Sequence, residues 1–216
     1  DKYKCDKGTE KHHYYKEYEQ YFESIREEPI NFLEIGTFKA ASTRAFHEYF
    51  PNSNIYTIDI FVRTDPKDLD ILHKDRVNWL KADSMDASLG TKIRNEWGDI
   101  KFDFIIDDGA HWPEANRLTF ENLIPFLKDD GTYFIEDVWP MDRMNHAELQ
   151  NNWLKRHPDR YDILKHNRFM SALDPYEVTH HVHLINPGNF VLHRIFDCNN
   201  FPIWFIDSVK GGVKCC

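Results

Sequence analysis

The sequence predicts an α/β fold: a mostly parallel sheet with helices on both faces, ending in an antiparallel hairpin near the C-terminus. Two observations carry this. Short apolar runs alternate with amphipathic stretches through most of the chain, and near the C-terminus two strand-like runs flank a tight-turn sequence. A length of 216 residues suits one domain, and no linker or repeat divides it, so residues 1–216 are expected to form a single unit.

The expected strands are Asn31 to Ile35, Ile55 to Ile60, Val77 to Ala82, Phe102 to Ile106 and Thr132 to Ile135. His13 to Arg26, rich in Tyr and Glu, reads as a helix ahead of the first strand. Between the first two strands, Ala41, Ala45, Phe46 and Tyr49 recur at helical spacing with Pro51 just beyond, which makes one βαβ unit. Glu114 to Leu127 repeats the logic, with Leu118, Phe120, Leu123, Ile124 and Leu127 as its apolar stripe and Asp130-Gly131 as the turn into the next strand. Tyr176 to Ile185 and Phe190 to Phe196, joined by Asn186-Pro187-Gly188-Asn189, form the expected hairpin. Residues 139–173, with Trp139, Trp153 and Phe169 embedded in charged sequence, fit a substrate-side insertion.

Hydrophobic residues at 41% and charged residues at 29% describe an ordinary globular chain with enough apolar material for a core. With 27 basic against 36 acidic residues the formal charge is −9, and the basic residues form no stripe, so a generic nucleic-acid binder is disfavoured. Cys5, Cys198, Cys215 and Cys216 make no CxxC pair and no zinc spacing, which fits a reducing compartment. No apolar run approaches a membrane span and the charged start is no signal peptide, so the expectation is a cytoplasmic protein without membrane partners.

In an open α/β sheet, ligands bind outside the carboxyl ends of the strands. Those ends read Glu34-Ile35-Gly36-Thr37, Asp59, Asp83-Ser84, Asp107-Asp108-Gly109-Ala110-His111 and Glu136-Asp137, an acid at every one. Each alone has a structural explanation in caps and turns. Together they suit a nucleoside ligand: Gly36 lets the backbone approach it, and Asp59 can accept both ribose hydroxyls. The first loop, Gly36-Thr37-Phe38-Lys39-Ala40-Ala41, lacks two of the three glycines of a dinucleotide fingerprint, which argues against a pyrophosphate and hence against a nicotinamide-dependent oxidoreductase.

The runs FLEIGTFKAAST, IDDGAHWPE and GTYFIEDVW, preceded by DKGTEKHHYYKEYEQYF, resemble the metal-dependent class I S-adenosylmethionine O-methyltransferases that act on sugar hydroxyls, such as the macrolide-sugar methyltransferases. The resemblance covers roughly residues 6–138. Ala40 stands where that family commonly has Gly, and Ala110 where it commonly has Ser. The resemblance implies a Rossmann-like methyltransferase sheet with S-adenosyl-L-methionine and a divalent cation of the Mg2+ or Mn2+ type as cofactors. It implies Glu34, Gly36 and Thr37 at the methionine end of the cofactor, Asp59 on the ribose, Asp83 and Ser84 at the adenine edge, Phe61 against the ring, and Asp107 closing the cofactor side. Asp108, Glu136 and Asp137 would hold the cation. Asp108 and Asp137 would then orient the acceptor and His111, whose ordinary pKa lies near neutral, would take its proton.

The acceptor is less defined. Arg143, Lys155, Arg156, Arg160, Lys165 and Arg168 suit acceptor phosphates, favouring a nucleotide- or polysaccharide-linked sugar over a natural-product glycoside. A non-catalytic nucleoside- or sugar-binding protein is the remaining alternative. His12 and His13 could border the cofactor, and His181 and His183 share a strand face. The aromatic stretch Tyr14 to Phe22 could supply a subunit contact in a homo-oligomer.

Overall fold

The computed structural model describes residues 2–8, 14–111, 113–137, 190–196 and 202–208. Seven strands form one sheet: β1 (Asn31–Ile35), β2 (Asn54–Asp59), β3 (Val77–Lys81), β4 (Phe102–Asp107), β5 (Leu127–Ile135), β6 (Phe190–Phe196) and β7 (Pro202–Ser208). Their order is β3-β2-β1-β4-β5-β7-β6. The first five are parallel, while β7 is antiparallel to both β5 and β6. Among the described residues, four α-helices accompany them: α1 (Tyr15–Phe22), α2 (Ala41–Tyr49), α3 (Leu89–Trp97) and α4 (Pro113–Leu123). Among the described residues, no helix is long and apolar enough to cross a membrane.

The chain lays β1, β2 and β3 outward in one direction, then crosses back to place β4 on the other side of β1. That reversal opens a crevice between the carboxyl ends of β1 and β4, the point where such sheets bind ligands.

The core has two layers because strand side chains alternate between faces. Leu33, Ile35, Ile105, Tyr133 and Ile135 point to the face covered by α3 and α4, where they meet Leu89, Ile93, Phe120 and Leu123. Phe32, Ile106 and Phe134 point to the opposite face, covered by α1 and α2, where they meet Tyr18, Phe22 and Phe46. Tyr14, Tyr18 and Phe22 are buried in the chain's own core, while Tyr15 of the same stretch is exposed.

Beyond shifts of a residue or a few at the ends of α1, β2, β3 and β4, three features differ from the sequence expectation. β6 does occur at Phe190–Phe196, but its described partner is β7, a run the sequence reading passed over; Tyr176 to Ile185 lies outside the described residues. The helical stripe expected to reach Leu127 stops at Leu123, and a short 3₁₀ turn at Ile124–Phe126 leads directly into β5. Asp130-Gly131 is accordingly an irregularity within β5, where the register shifts between Phe102 and Phe104 of its neighbour. Gly131 is needed there, since a Cβ would come within 2.8 Å of the Asp103 carbonyl oxygen. Finally, α3 was not anticipated, although Leu89, Ile93 and Trp97 stand at helical spacing and Gly98, at φ +73°, ends the helix.

Candidate active site

At the crevice the sheet continues one residue past the strands. The Gly36 amide donates to the Ile58 carbonyl at 2.9 Å, Asp108 to Ile35 at 3.0 Å, and Glu136 to Asp107 at 2.9 Å. Gly36 has φ +93°, and a Cβ on it would lie 2.1 Å from the Asp108 carbonyl oxygen, so only glycine allows β1 and β4 to end this close together. Among the described residues, seven non-glycine residues have positive φ, and five of them (Phe38, Ala40, Phe61, His111, Asp137) lie in the loops leaving this rim. Backbone strain of that kind is tolerated where the surrounding structure imposes it, and it gathers at working sites.

On the expected cofactor side, each Asp59 oxygen accepts one backbone amide, from Phe61 at 2.6 Å and Phe38 at 2.9 Å, which fixes the carboxylate at the mouth of the β1 and β2 loops. Phe61 is buried edge-on against Trp79, with centroids 5.5 Å apart, and residues 61–66 with Lys81 border a cavity of about 230 Å³. Thr37 is buried with its hydroxyl on that of Thr57. Asp83 accepts the Met85 amide at 2.9 Å, and the Ser84 hydroxyl lies 2.8 Å from that of Thr119 on α4.

Alternation along the strands sorts the acids by face. Asp107 follows Ile105 onto the α4 side, where Gly109 and Asn116 donate to it, and burial pushes its carboxyl up to about 7. Glu34 follows Phe32 onto the α1 and α2 side. It is wholly enclosed, one oxygen accepts the Thr43 hydroxyl at 2.6 Å, and the other has no hydrogen-bond partner among the described residues. Burial pushes Glu34 up to about 7 as well, against the pull of Lys7, Ser42 and Thr43.

Asp108 and Glu136 share that face with Glu34, and a lysine stands between them. Lys7 Nζ lies 2.6 Å from Asp108 Oδ2 and 2.6 Å from Glu136 Oε2. Burial alone would lower this ammonium's pKa, but the two carboxylates hold it well above the ordinary lysine value. Tyr18 donates its hydroxyl to the other Glu136 oxygen, and Tyr14 donates to Asp137 Oδ1 at 2.7 Å. Asp137, turned by a φ of +49°, leaves the strand direction.

Of the expected metal ligands, Asp108 and Glu136 meet across Lys7. Asp108, His111 and Asp137 each present a ligand atom within 4.8 Å of one another, and His111 Nε2 is 3.6 Å from Asp108 Oδ1. Glu136 instead faces Lys7 and Tyr18. The two carboxylates are hard oxygen donors of the kind that suit Mg2+ or Mn2+. The buried His111 Nδ1 atom has no hydrogen-bond partner among the described residues. Lys7, Tyr14, Tyr18, Thr43 and Asn116 are the site residues that sequence reasoning missed. His12, His13, His180, His181, His183, Trp139, Trp153 and the basic residues of 143–168 lie outside the described residues.

No family model matches the sequence. Over 129 residues it is 30% identical to the 8-demethyl-8-(2-methoxy-alpha-L-rhamnosyl)-tetracenomycin-C 3'-O-methyltransferase of Streptomyces olivaceus, covering 56% of this chain and 31% of that protein. The mycinamicin VI 2''-O-methyltransferase of Micromonospora griseorubida is also 30% identical, over 56% of this chain and 30% of its own length. These curated relatives are sugar O-methyltransferases. The chain spans only about a third of their length. A solved structure of the MycE methyltransferase from the mycinamycin biosynthetic pathway, in complex with Mg and SAH, superposes with a TM-score of 0.64 at 24% identity, over 100% of this chain and 55% of that one.

The chain has the class I methyltransferase fold. The same fold carries a fibrillarin pre-rRNA processing protein of Methanococcus jannaschii, at a TM-score of 0.53 and 14% identity over 86% of this chain and 69% of that one. A methyltransferase fold therefore leaves the acceptor open, and the residues at its rim have to decide it.

Proposed function

We propose that the chain is an S-adenosylmethionine-dependent O-methyltransferase acting on a sugar hydroxyl, assisted by a divalent cation of the Mg2+ or Mn2+ type. The observation that carries this reading is the meeting of Asp108, His111 and Asp137 at the switch point of a methyltransferase sheet. When bound, S-adenosylmethionine would supply the electrophilic methyl group and the cation would make the acceptor hydroxyl more acidic.

The chain's own residues supply binding and proton transfer. Asp59 would accept the ribose hydroxyls with the lone pairs that its two amide bonds leave free. Glu34, Gly36 and Thr37 would form the methionine end, Phe61 with Asp83 and Ser84 the adenine end, and Asp107 the wall between them. Asp108 and Asp137 would hold the cation, and His111, 3.6 Å from Asp108, would take the proton from the acceptor oxygen.

The relatives' names favour a natural-product glycoside as acceptor over a sugar nucleotide, since those proteins are named for tetracenomycin and mycinamicin glycosides. The test is a mass measurement of methyl transfer to rhamnosyl and macrolide glycosides, with sugar nucleotides as the competing acceptors. A one-methyl gain on the glycosides only, abolished by chelator, is expected; methylation of sugar nucleotides alone would overturn the acceptor class.

The same triangle favours a second reading of His111, as a third ligand. His111→Ala separates the two. A base gives unchanged Mn2+ affinity with turnover down by about 100-fold or more. A ligand gives weakened Mn2+ binding.

A further inference from the structure

We propose that Tyr14 and Tyr18 are positioning residues for the divalent cation: from one face of α1, their hydroxyls hold Asp137 and Glu136 in the orientation in which these carboxylates bind it. The proposal rests on the reading of this rim as a divalent-cation site. Tyr14 donates to Asp137 Oδ1 at 2.7 Å, Tyr18 donates to Glu136 Oε1, and both tyrosines are buried.

The spacing of the helix matches the end of the strand. Tyr14, Tyr18 and Phe22 recur every four residues and so form one stripe along α1. Beneath the stripe, Phe134 and Glu136 share a face of the sheet, and Asp137 follows. Phe22 and Tyr18 both pack on the Phe134 ring, with centroids 5.8 and 5.1 Å away, and Tyr18 reaches on to Glu136. The two hydroxyls stand where the sheet ends in acids. Phe22, over the rings of Phe32, Phe104 and Phe134, has none.

Tyr14 also departs from a local rule. It occupies the N-cap of α1, a position that Ser, Thr, Asp or Asn usually fills, and its side chain makes no capping bond. The Tyr15 amide donates to the Lys7 carbonyl instead, at 3.1 Å. The helix start by itself does not call for tyrosine. Its hydroxyl is committed to Asp137, whose φ of +49° is a conformation that the surroundings have to impose. A carboxylate oxygen tied to a neutral donor fixes the direction of the carboxylate without cancelling its charge, so an ion meets ligands already in place. Asp137 offers a ligand atom within 4.8 Å of those of Asp108 and His111, and Glu136 is joined to Asp108 through Lys7, so the stripe acts on one centre from the β5 side.

The test is Mn2+ titration of the chain, reading the free aquo ion by electron paramagnetic resonance, with thermal denaturation to establish that each variant is folded. Tyr14→Phe and Tyr18→Phe keep the packed rings and remove only the hydroxyls, and each should lose about tenfold in affinity. Asp108→Asn, which removes a ligand charge, should lose more. Adding Tyr14→Phe to Asp137→Asn should cost no further affinity, because the hydroxyl acts through that carboxylate. A hydroxyl that merely satisfies a buried acid would lower the melting temperature and leave Mn2+ affinity unchanged.

A folded tyrosine variant that binds Mn2+ within about twofold of the parent, or more tightly, overturns the role of its residue, while the loss in Asp108→Asn keeps the cation site. A further loss of about tenfold on adding Tyr14→Phe to Asp137→Asn overturns positioning through Asp137. Should one tyrosine variant fail to fold, the other decides. A parent chain that binds no Mn2+ removes the cation reading, and the role of both tyrosines with it.

Discussion

Glu34 sits at the carboxyl end of the central strand with no access to solvent, and its burial has a measurable consequence. Its carboxyl is pushed up to about 7 from an ordinary value of 4.5, so between those values the folded chain binds more protons than the unfolded one. Stability is then highest below the unfolded value, falls as pH rises through the folded value, and is flat beyond it. For this residue the loss amounts to roughly 3 kcal/mol. Glu34→Gln should melt at a higher temperature than the parent at pH 8 and close to the parent at pH 4. Thermal denaturation across that range checks it, and a steeper decline in the variant would contradict the assignment. Ala40 is a related case: it stands where the family resemblance expects Gly, and its φ of +59° is the conformation that glycine adopts most easily.

At the scale of elements, α1 joins the core to the chemistry. Phe22 makes ring contacts with Phe32, Phe46, Phe50, Phe104 and Phe134, with centroids 5.0 to 6.4 Å apart. One turn earlier, Tyr18 packs on Phe134 and presents its hydroxyl to Glu136. Phe22→Ala should therefore cost about 3–5 kcal/mol, read as a shift of the denaturant midpoint. Cation affinity in the folded fraction should change little, because the polar contacts lie on Tyr18 and Tyr14. Sequence reasoning found α1 and its aromatic residues, but not their direction. The pattern YYKEYEQYF looks suited to a subunit contact, and only the sheet beneath it shows that Tyr14, Tyr18 and Phe22 turn inward. The end of α4 was illegible for a different reason: Leu127 continues the helical stripe numerically, yet pairing with Phe102 draws it into β5.

Across the whole molecule, the formal charge of −9 has a partial location. Glu34, Asp59, Asp83, Asp107, Asp108, Glu136 and Asp137 stand at the carboxyl ends of the five parallel strands, and Lys7 is the only described lysine or arginine shown within ion-pair distance of any of them. A folded site of this kind stabilises the whole chain when filled. Mn2+ at 100 times its dissociation constant should raise stability by about 2.7 kcal/mol. A matching rise in melting temperature is expected, smaller in Asp108→Asn; an equal rise in that variant would show that the ion binds elsewhere.

The sequence by itself determined the parallel sheet, the carboxylates at its rim and a glycine turn at the end of β1. These follow from local rules: period-two alternation, apolar runs and the positive φ that glycine permits. Alternation even contains the sorting of Asp107 from Asp108 and of Glu136 from its neighbours, once the strands are in register. Only the tertiary structure decided which acids meet. Lys7 lies 101 residues from Asp108 and 129 from Glu136, and no local spacing connects them. The contact arises because the segment before α1 is laid across the ends of β4 and β5, where the buried Lys7 ammonium and the buried Glu136 carboxylate are each tolerable only in the presence of the other.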